Sequence, residues 1–588
     1  MPLSSSAVSH VLSIETPYQP REGSAARALP QRIAVFAQGQ AGYTYSSDKW
    51  TFTNLAAVVN RFGPRSPINA IMRQLKPVDG SGVGAVTVTI YPLPANPGGG
   101  AAQAVGSITP SGTATQAVSH RVRLGGFVTE PFAIAAGALT GALLTAACRG
   151  ARDALDKHPY IPALATYTYG SPTVAYTRIG TGGASDGTAT TFTTTGQPKP
   201  GVWRLTCTAG AANAGTFEVR DPDGILVGTV NTMGAHVVGG LGFTLTDGTS
   251  DWDVGDIIDI TVPVTNVIVT SSWYGASANQ LKIEILDATF GDVWTTVQPT
   301  GGLVNPDVNP ALAQVGNTWE TFVLNALEIA DTATLDKFLA WGAPRWGGLV
   351  RRPAIVVTGN TIAAVDSATA VAAARGTDNV NAQLVAPGSP NLPFVAAAAM
   401  LAKIVASFNT DAASDPIGLQ VPALTPGVDS VQWDYPQREL AVLAGSSTTE
   451  VVDNVIRLGD TIMFYHPTGE DPPAYRYVAD VVKLQNTLYN FELEFTKAEW
   501  QGAPLLSDGQ SSDHPRAKSP SDAKAAAATV LYRLGRSAIL DKVAESQKAI
   551  SSVKDPTNSK RMNLVVPVVL AGTVNVIDLV IPWSFSYG

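Results

Sequence analysis

From residue 32 the chain alternates short apolar runs with helical spacings. RIAVFAQGQAG (32–42) reads as a buried strand, FTNLAAVVNRFG (52–63) as a short helix and AVTVTIYPL (85–93) as a second strand, an α/β opening. After the Gly- and Pro-rich break at 94–100, strand-like SHRVRLGGFVTEPFAI leads into the Ala-rich helix ALTGALLTAACRGARDAL, which stops at KHPYIP. One more strand would complete a βαβ-type unit, and it comes only after residue 262, as NVIVTSSWYG followed by NQLKIEIL. Residues 166–262 between them are therefore predicted to be an insertion.

Within that insertion the period changes to two. Trp203, Leu205 and Cys207 share one strand face and Arg204, Thr206 and Thr208 the other. Phe217 and Val219 repeat the pattern, Asp221-Pro222-Asp223-Gly224 makes a turn, and ILVGTV is its hairpin partner. Phe243 with Leu245, then Ile258, Ile260 and Val262, supply further strands of a small all-β, sandwich-like surface domain, with Cys207 in its core.

Beyond residue 300 the α/β pattern returns. NTWETFVLNAL and ATLDKFLAWG read as helices, PAIVVTG as a buried strand and PFVAAAAMLAKIVASF as a long helix. RELAVLAGSSTTEVVDNVIRLGDTIMFY reads as a helix and two strands, joined across 457–460. Ser519 and Asp522 form a capping box around Pro520 and open a helix expected to run to about Val553, with Leu531, Leu534, Ala538, Ile539, Val543 and Ile550 on its apolar side. Arg533 and Arg536 lie away from that side, either as solvated arginines of a core helix or facing an acidic partner surface.

The two ends differ from everything between them. Residues 1–28 are a polar arm whose strand-like piece is SHVLSIET, and 563–588, NLVVPVVLAGTVNVIDLVIPWSFSYG, are strand-like with almost no charge. Soluble proteins shorten, charge or cover such open edges. Residues 563–570 and 573–581 are predicted to pair as a hairpin, leaving the segment after Pro582 and the first arm for neighbouring chains.

Composition narrows the function classes. The 588 residues are 45% hydrophobic and 15% charged, with a net charge of −8, a balance that does not favour nucleic acid. The opening MPLSSSAVSHVLSIETP lacks a basic region followed by an apolar one, so no secretory leader is expected, and the apolar stretch 132–148 is too short and too weakly apolar for a membrane span. Cys148 and Cys207 make neither a disulfide framework nor a metal spacing, and the six histidines are scattered. There is no Gly-Lys dipeptide, HExxH or CxxC. Residues 183–187 match GxSxG, but their Gly/Thr-rich flanks read as a β-turn in place of the strand and helix a nucleophile elbow needs. Asp251, Asp253, Asp256 and Asp259 read as a solvated turn entering a strand, without the spacing of an EF-hand. A hydrolase would need convergent acids or a nucleophile with its base. A secreted surface-layer or adhesin-like structural protein would share the Gly/Thr-rich turns but should carry a leader.

Five blocks in order resemble the contractile tail sheath proteins of Mu-like myophages. They are FTNLAAVVNRFGPRSP, with Phe52, Asn54, Phe62 and Gly63; YGASANQLKIEI, with Gly275 and Asn279; the stretch 415–465, with Gly418, Pro422, Arg438, Glu439, Leu440 and Gly445; YRYVADVVKLQNTLYNFELEF; and SKRMNLVVPVVLAGTVNVIDLVIPWSFSYG. The chain departs from the family at Met463-Phe464-Tyr465, where a threonine-threonine-tyrosine strand end is usual, and in the insertion, which a minimal sheath lacks.

The resemblance implies an α+β, multi-domain protein without a catalytic site or cofactor. It implies an extended arm at 1–30, an α/β sheath core from 31–98 and 300–562, a second domain from 99–165 and 263–299, the all-β insertion at 166–262, and a terminal hairpin and arm at 563–588. The implied function is a virion subunit, assembled in the host cytoplasm, that polymerises as stacked rings around a tail tube and contracts to drive the tube through the host envelope. Its partners would be further copies of itself, the tube protein, and baseplate and terminator proteins, with no nucleic acid and no direct membrane insertion. Val8, Val11 and Ile14, with Val574, Val576, Val580, Trp583, Phe585 and Tyr587, are the candidate inter-subunit arm residues. Arg533 and Arg536 are the candidate tube contacts.

Overall fold

Residues 32–38 are almost wholly apolar because both faces of the strand they form are covered, the mark of a parallel sheet. The computed structural model describes residues 26–179, 185–212, 214–231, 234–469 and 474–573. Two compact units are distinguished, Gln31–Ala406 with Ile417–Arg476, and Met1–Pro30 with Ser407–Pro416 and Tyr477–Gly588. Mixed α and β structure runs through many separate sheets.

In the larger unit, Thr87–Leu93, Arg32–Gln38, Phe322–Asn325, Ile355–Asn360 and Asn381–Val385 lie side by side in parallel, and Trp50–Thr51 adds antiparallel to Thr87–Leu93. Ile33 stands opposite both Val88 and Phe322. The helices Leu55–Phe62 and Pro67–Leu75 start where Asn54 and Ser66 accept the backbone N–H groups of Ala57 and Asn69. The long helix Pro393–Thr410 is apolar enough to cross a membrane by composition, but 72% of it is buried inside the protein, as a core helix is.

Phe322–Asn325 corrects the helix expected over NTWETFVLNAL. Phe322, Val323 and Leu324 are completely buried in the middle of the sheet, and a short apolar run of that kind has no period to separate strand from helix. A second correction concerns the pair Thr449–Val452 and Val455–Leu458, which turns at Asp453-Asn454 and not across 457–460. Both turn residues hold left-handed φ, 53° and 59°, matching the twist that tight hairpins need.

The expected βαβ-type unit is also corrected. Gln103–Ala114, Val264–Tyr274, Ala163–Tyr169 and Asp292–Thr300 form one antiparallel sheet, and the helix Gly141–Lys157 packs against it. Ala163–Tyr169 and Val264–Tyr274 are antiparallel neighbours, so the chain leaves for the insertion and returns from it at adjacent positions, and no crossover is required. A second antiparallel sheet, Ile283–Leu286 with Val118–Leu124 and Phe127–Val128, is tied to the first by buried His120. Its Nε2 lies 2.7 Å from Asp292 Oδ2, and Asp292 also accepts from Trp294 Nε1 at 2.8 Å and Phe290 N at 2.7 Å.

Between Thr173 and Val262 the described residues carry strands and no helix. A five-stranded sheet and a three-stranded sheet enclose Trp203, Leu205, Cys207, Phe217, Val219, Phe243, Leu245, Ile258 and Ile260. The period of two in the sequence is thus a face buried between two sheets. Arg149 of the Gly141–Lys157 helix reaches both oxygens of Asp223 at 2.5 and 2.6 Å, and Lys199 bridges Asp221 and Asp223 at 2.6 and 2.7 Å, holding the hairpin turn.

In the smaller unit the capping box of Ser519 and Asp522 opens the helix Pro520–Arg536 as expected. The helix then stops, which corrects its expected run to Val553. Ala538 takes a left-handed φ of 54°, Gly535 has no Cβ that would overlap Val543, and the chain continues as Leu540–Asp541, the short helix Val543–Lys548 and Ser551–Lys554. The apolar positions read as one helical face are shared among these elements.

Candidate functional site

The helix Val478–Phe495 carries polar residues where a core helix would carry apolar ones. Lys483, Asn486 and Asn490 recur at steps of three and four, so they share one face, and all three are buried. Buried polar groups need partners, and here the partners are backbone groups from near both ends of the described chain. Asn490 accepts the Arg27 N–H at 3.0 Å and donates to the Arg27 carbonyl at 2.9 Å, while Asn486 accepts the Leu29 N–H at 2.8 Å. Lys483 Nζ donates to the Ala571 carbonyl at 2.6 Å, with Asp480 Oδ1 at 3.5 Å. Burial pushes the Asp480 carboxyl up and the Lys483 charge works against it. One helix face therefore holds the chain at residues 27–29 and at residue 571. The sequence reading missed this face, although Lys, Asn and Asn at helical spacing inside VADVVKLQNTLYNFELEF were its visible signal.

The candidate arm residues Val8, Val11, Ile14, Val574, Val576, Val580, Trp583, Phe585 and Tyr587 lie outside the described residues. The second strand of the expected hairpin of 563–570 with 573–581 lies, beyond 573, outside the described residues. Met562–Val565 pairs antiparallel with Ser551–Lys554, and Val569–Leu570 pairs with Leu540–Asp541. Pro567 splits the run into two short strands, because proline has no N–H for a ladder.

Both two-stranded ribbons rest on the helix Pro520–Arg536. Leu564, Val566, Val568 and Leu570 pack against the core of Ala527, Val530, Leu531 and Leu534. A two-stranded ribbon is marginal alone, and this backing supplies its apolar face. Among the described residues neither ribbon pairs with a further strand. Their outer edges have the geometry that accepts an added strand through main-chain hydrogen bonds.

Arg533 and Arg536 occupy the last turn of that helix, where a positive charge suits the helix dipole. Arg533 lies 3.6 Å from Glu494, and Arg536 sits over the Tyr532 ring at 6.0 Å. Arg533 is thus partly engaged within its own unit, while Arg536 is exposed.

Elsewhere the chemistry-bearing patterns have structural partners. Ser185 of the GxSxG match is buried, donates to Asp256, and accepts from Arg178 at 2.8 Å; Gly183 and Ala184 lie outside the described residues. Asp256 further accepts from Ile179 N at 2.8 Å, and Asp259 pairs with Arg204 at 2.8 Å. Among the described residues no group of three His, Cys, Asp or Glu side chains converges to hold a metal ion.

No family model matches the chain. Over 263 residues it is 24% identical to the Mu-like prophage FluMu tail sheath protein of Haemophilus influenzae, a match covering 42% of this chain and 52% of that one. The match therefore spans about half the length of this relative. The sheath tail protein of Listeria innocua aligns in structure over 93% of each chain, at 9% identity and a TM-score of 0.41. That of Desulfitobacterium hafniense aligns over 95% of this chain and all of its own, at 10% identity and a TM-score of 0.39. Backbone likeness at that level carries no functional argument. The sequence relative bears out the likeness to Mu-like tail sheath proteins read from the five blocks.

Proposed function

We propose that this chain, which resembles Mu-like tail sheath proteins in sequence, is a non-enzymatic structural subunit of a contractile phage tail sheath in the virion. Copies of it polymerise as stacked rings around a tail tube, and their contraction drives the tube through the host envelope. In this reading 31–98 and 300–562 supply the sheath core, 99–165 and 263–299 the second domain, and 166–262 a module outside the minimal sheath. Arg533 and Arg536 are its tube contacts, and assembly takes place in the host cytoplasm with baseplate and terminator proteins at the ends.

The observation that carries the reading is the face of Lys483, Asn486 and Asn490. It holds the chain at 27–29 and at 571, next to helix-backed ribbons that pair with no further strand among the described residues. Segments rooted this way can be lent to a neighbour without disturbing the unit they leave. Each main-chain bond of an added strand contributes about 0.5–1.5 kcal/mol net, so several such strands per subunit hold a polymer while its rings move. Removal of residues 583–588 is expected to leave a folded, soluble monomer that forms no tubes under the electron microscope. Tubes from the truncated chain indistinguishable from those of the full chain would sink the strand-lending mechanism. A full chain that never forms tubes would favour the surface-layer alternative.

A further inference from the structure

Two unusual surfaces stand at opposite ends of the parallel sheet. The first is the turn 347–352, just before the strand Ile355–Asn360. Leu349 at its tip is 101% exposed, and exposed Arg351 holds a left-handed φ of 54°. The turn is fixed from beneath. Arg351 N donates to the Gly347 carbonyl at 2.9 Å and Arg352 N to the Arg345 carbonyl at 2.8 Å. Arg345 is buried over Trp341 at 4.5 Å and donates to the carbonyls of Arg352, Thr318 and Gly316 at 3.0, 2.7 and 3.2 Å. The backbone that carries this leucine has little freedom left to lose on binding, which lowers the entropic cost of docking it.

The second surface is the helix Tyr435–Leu443, whose amphipathy is inverted. Ala441 is its buried residue, while Leu440 and Leu443 are each 56% exposed and form, with Pro436, a stripe at steps of four and three. Polar side chains do the anchoring. Asp434 and Gln437 close a capping box, and Arg438 pairs with Glu450 at 2.7 Å. Trp433 Nε1 donates to the Ala363 carbonyl at 2.7 Å, which places the helix start just past the carboxyl end of Ile355–Asn360. The exposed carboxylate flanking the stripe is Glu439, with Asp434 at the helix start.

The knob precedes this strand and the stripe follows it. A six-residue strand spans about 20 Å, so the knob and stripe of one chain do not meet. They are nonetheless complementary, a leucine beside arginine on one side and two leucines beside glutamate on the other. We infer that the 347–352 knob of one copy docks on the 435–443 stripe of the next copy, a head-to-tail contact. Contacts between two different surfaces of the same chain propagate into rings or helical filaments. The inference rests on the proposed homopolymer and adds the surface that joins its members.

The test is a full-length chain carrying Leu349→Cys and Leu440→Cys together. Both positions are exposed and the native Cys148 and Cys207 are buried, so circular dichroism and the melting temperature should match the parent. Oxidation under assembly conditions should give a ladder of dimers and higher multimers on a non-reducing gel, with none from either single variant. Arg351→Glu should lower the yield of polymer at least about tenfold at low salt, and Glu439→Arg in the same chain should restore it. Tubes that form without a ladder, or Arg351→Glu assembling like the parent, would overturn the contact and leave the sheath reading standing. An unmodified chain that stays monomeric in all conditions, with no ladder from the double variant, would remove both.

Discussion

Replacing Asn486 and Asn490 with alanine tests whether the helix face holds the 27–29 segment. The double variant removes two hydrogen bonds between Asn490 and the Arg27 backbone and one from Leu29 N to Asn486. At about 1 kcal/mol net per bond the segment loses about 3 kcal/mol of local stability, or about 100-fold in the ratio of docked to undocked forms. The helix itself is kept, because alanine is a good helix former. Hydrogen exchange read at the amides of Arg27 and Leu29 should therefore accelerate by about 100-fold while the amides of Ile355–Asn360 keep their rates. Trypsin should cut after Arg27 in the variant well before it does in the parent. Unchanged exchange at both amides would show that the segment is held by the burial of Leu29 and not by the asparagines, and would refute the reasoning.

Other outcomes follow from single sites. Both thiols are buried and burial pushes Cys148 up to about 12, so a thiol-reactive disulfide reagent at pH 8 should label neither cysteine until denaturant is added; prompt labelling of native protein would contradict this. Burial acts to raise the Asp292 carboxyl, but the N–H of Phe290, Trp294 and His120 outweigh it and its pKa is lowered. A lowered folded pKa gives stability that is present above the unfolded value of about 4 and is lost as pH falls through the folded value. Asp292→Asn should accordingly lower stability near neutral pH by about 1–3 kcal/mol and flatten its decline in acid, read by denaturant titration. Gly359→Ala places a Cβ on the strand Ile355–Asn360 against the Pro393 carbonyl oxygen, and thermal melts should show a loss of about 1–3 kcal/mol or more. A parent-like melting temperature would show that the Pro393–Thr410 helix yields at no cost.

Local signals were legible where they were sufficient. The alternation from Trp203 to Cys207 is a sandwich face, the Ser519 and Asp522 capping box opens a helix, and the glycine- and proline-rich breaks separate the elements. They failed where a short apolar run had no period. Phe322–Asn325, expected within a helix, is a buried strand, because its neighbours Arg32–Gln38 and Ile355–Asn360 come from distant parts of the sequence.

By itself the sequence determined the mixed α and β class of the protein, the all-β character of the described residues between 173 and 262, and a family likeness that the sequence relative bears out. Only the tertiary structure decided where polar side chains are used. Asn490 meets Arg27 across 463 residues and Lys483 meets Ala571 across 88. It also decided that Leu440 and Leu443 face outward and that Leu349 stands clear of the protein. The physical reason is that periodicity reports how a segment sorts its own side chains between two environments. What that environment is, core, solvent or a distant stretch of backbone, is set by the rest of the chain.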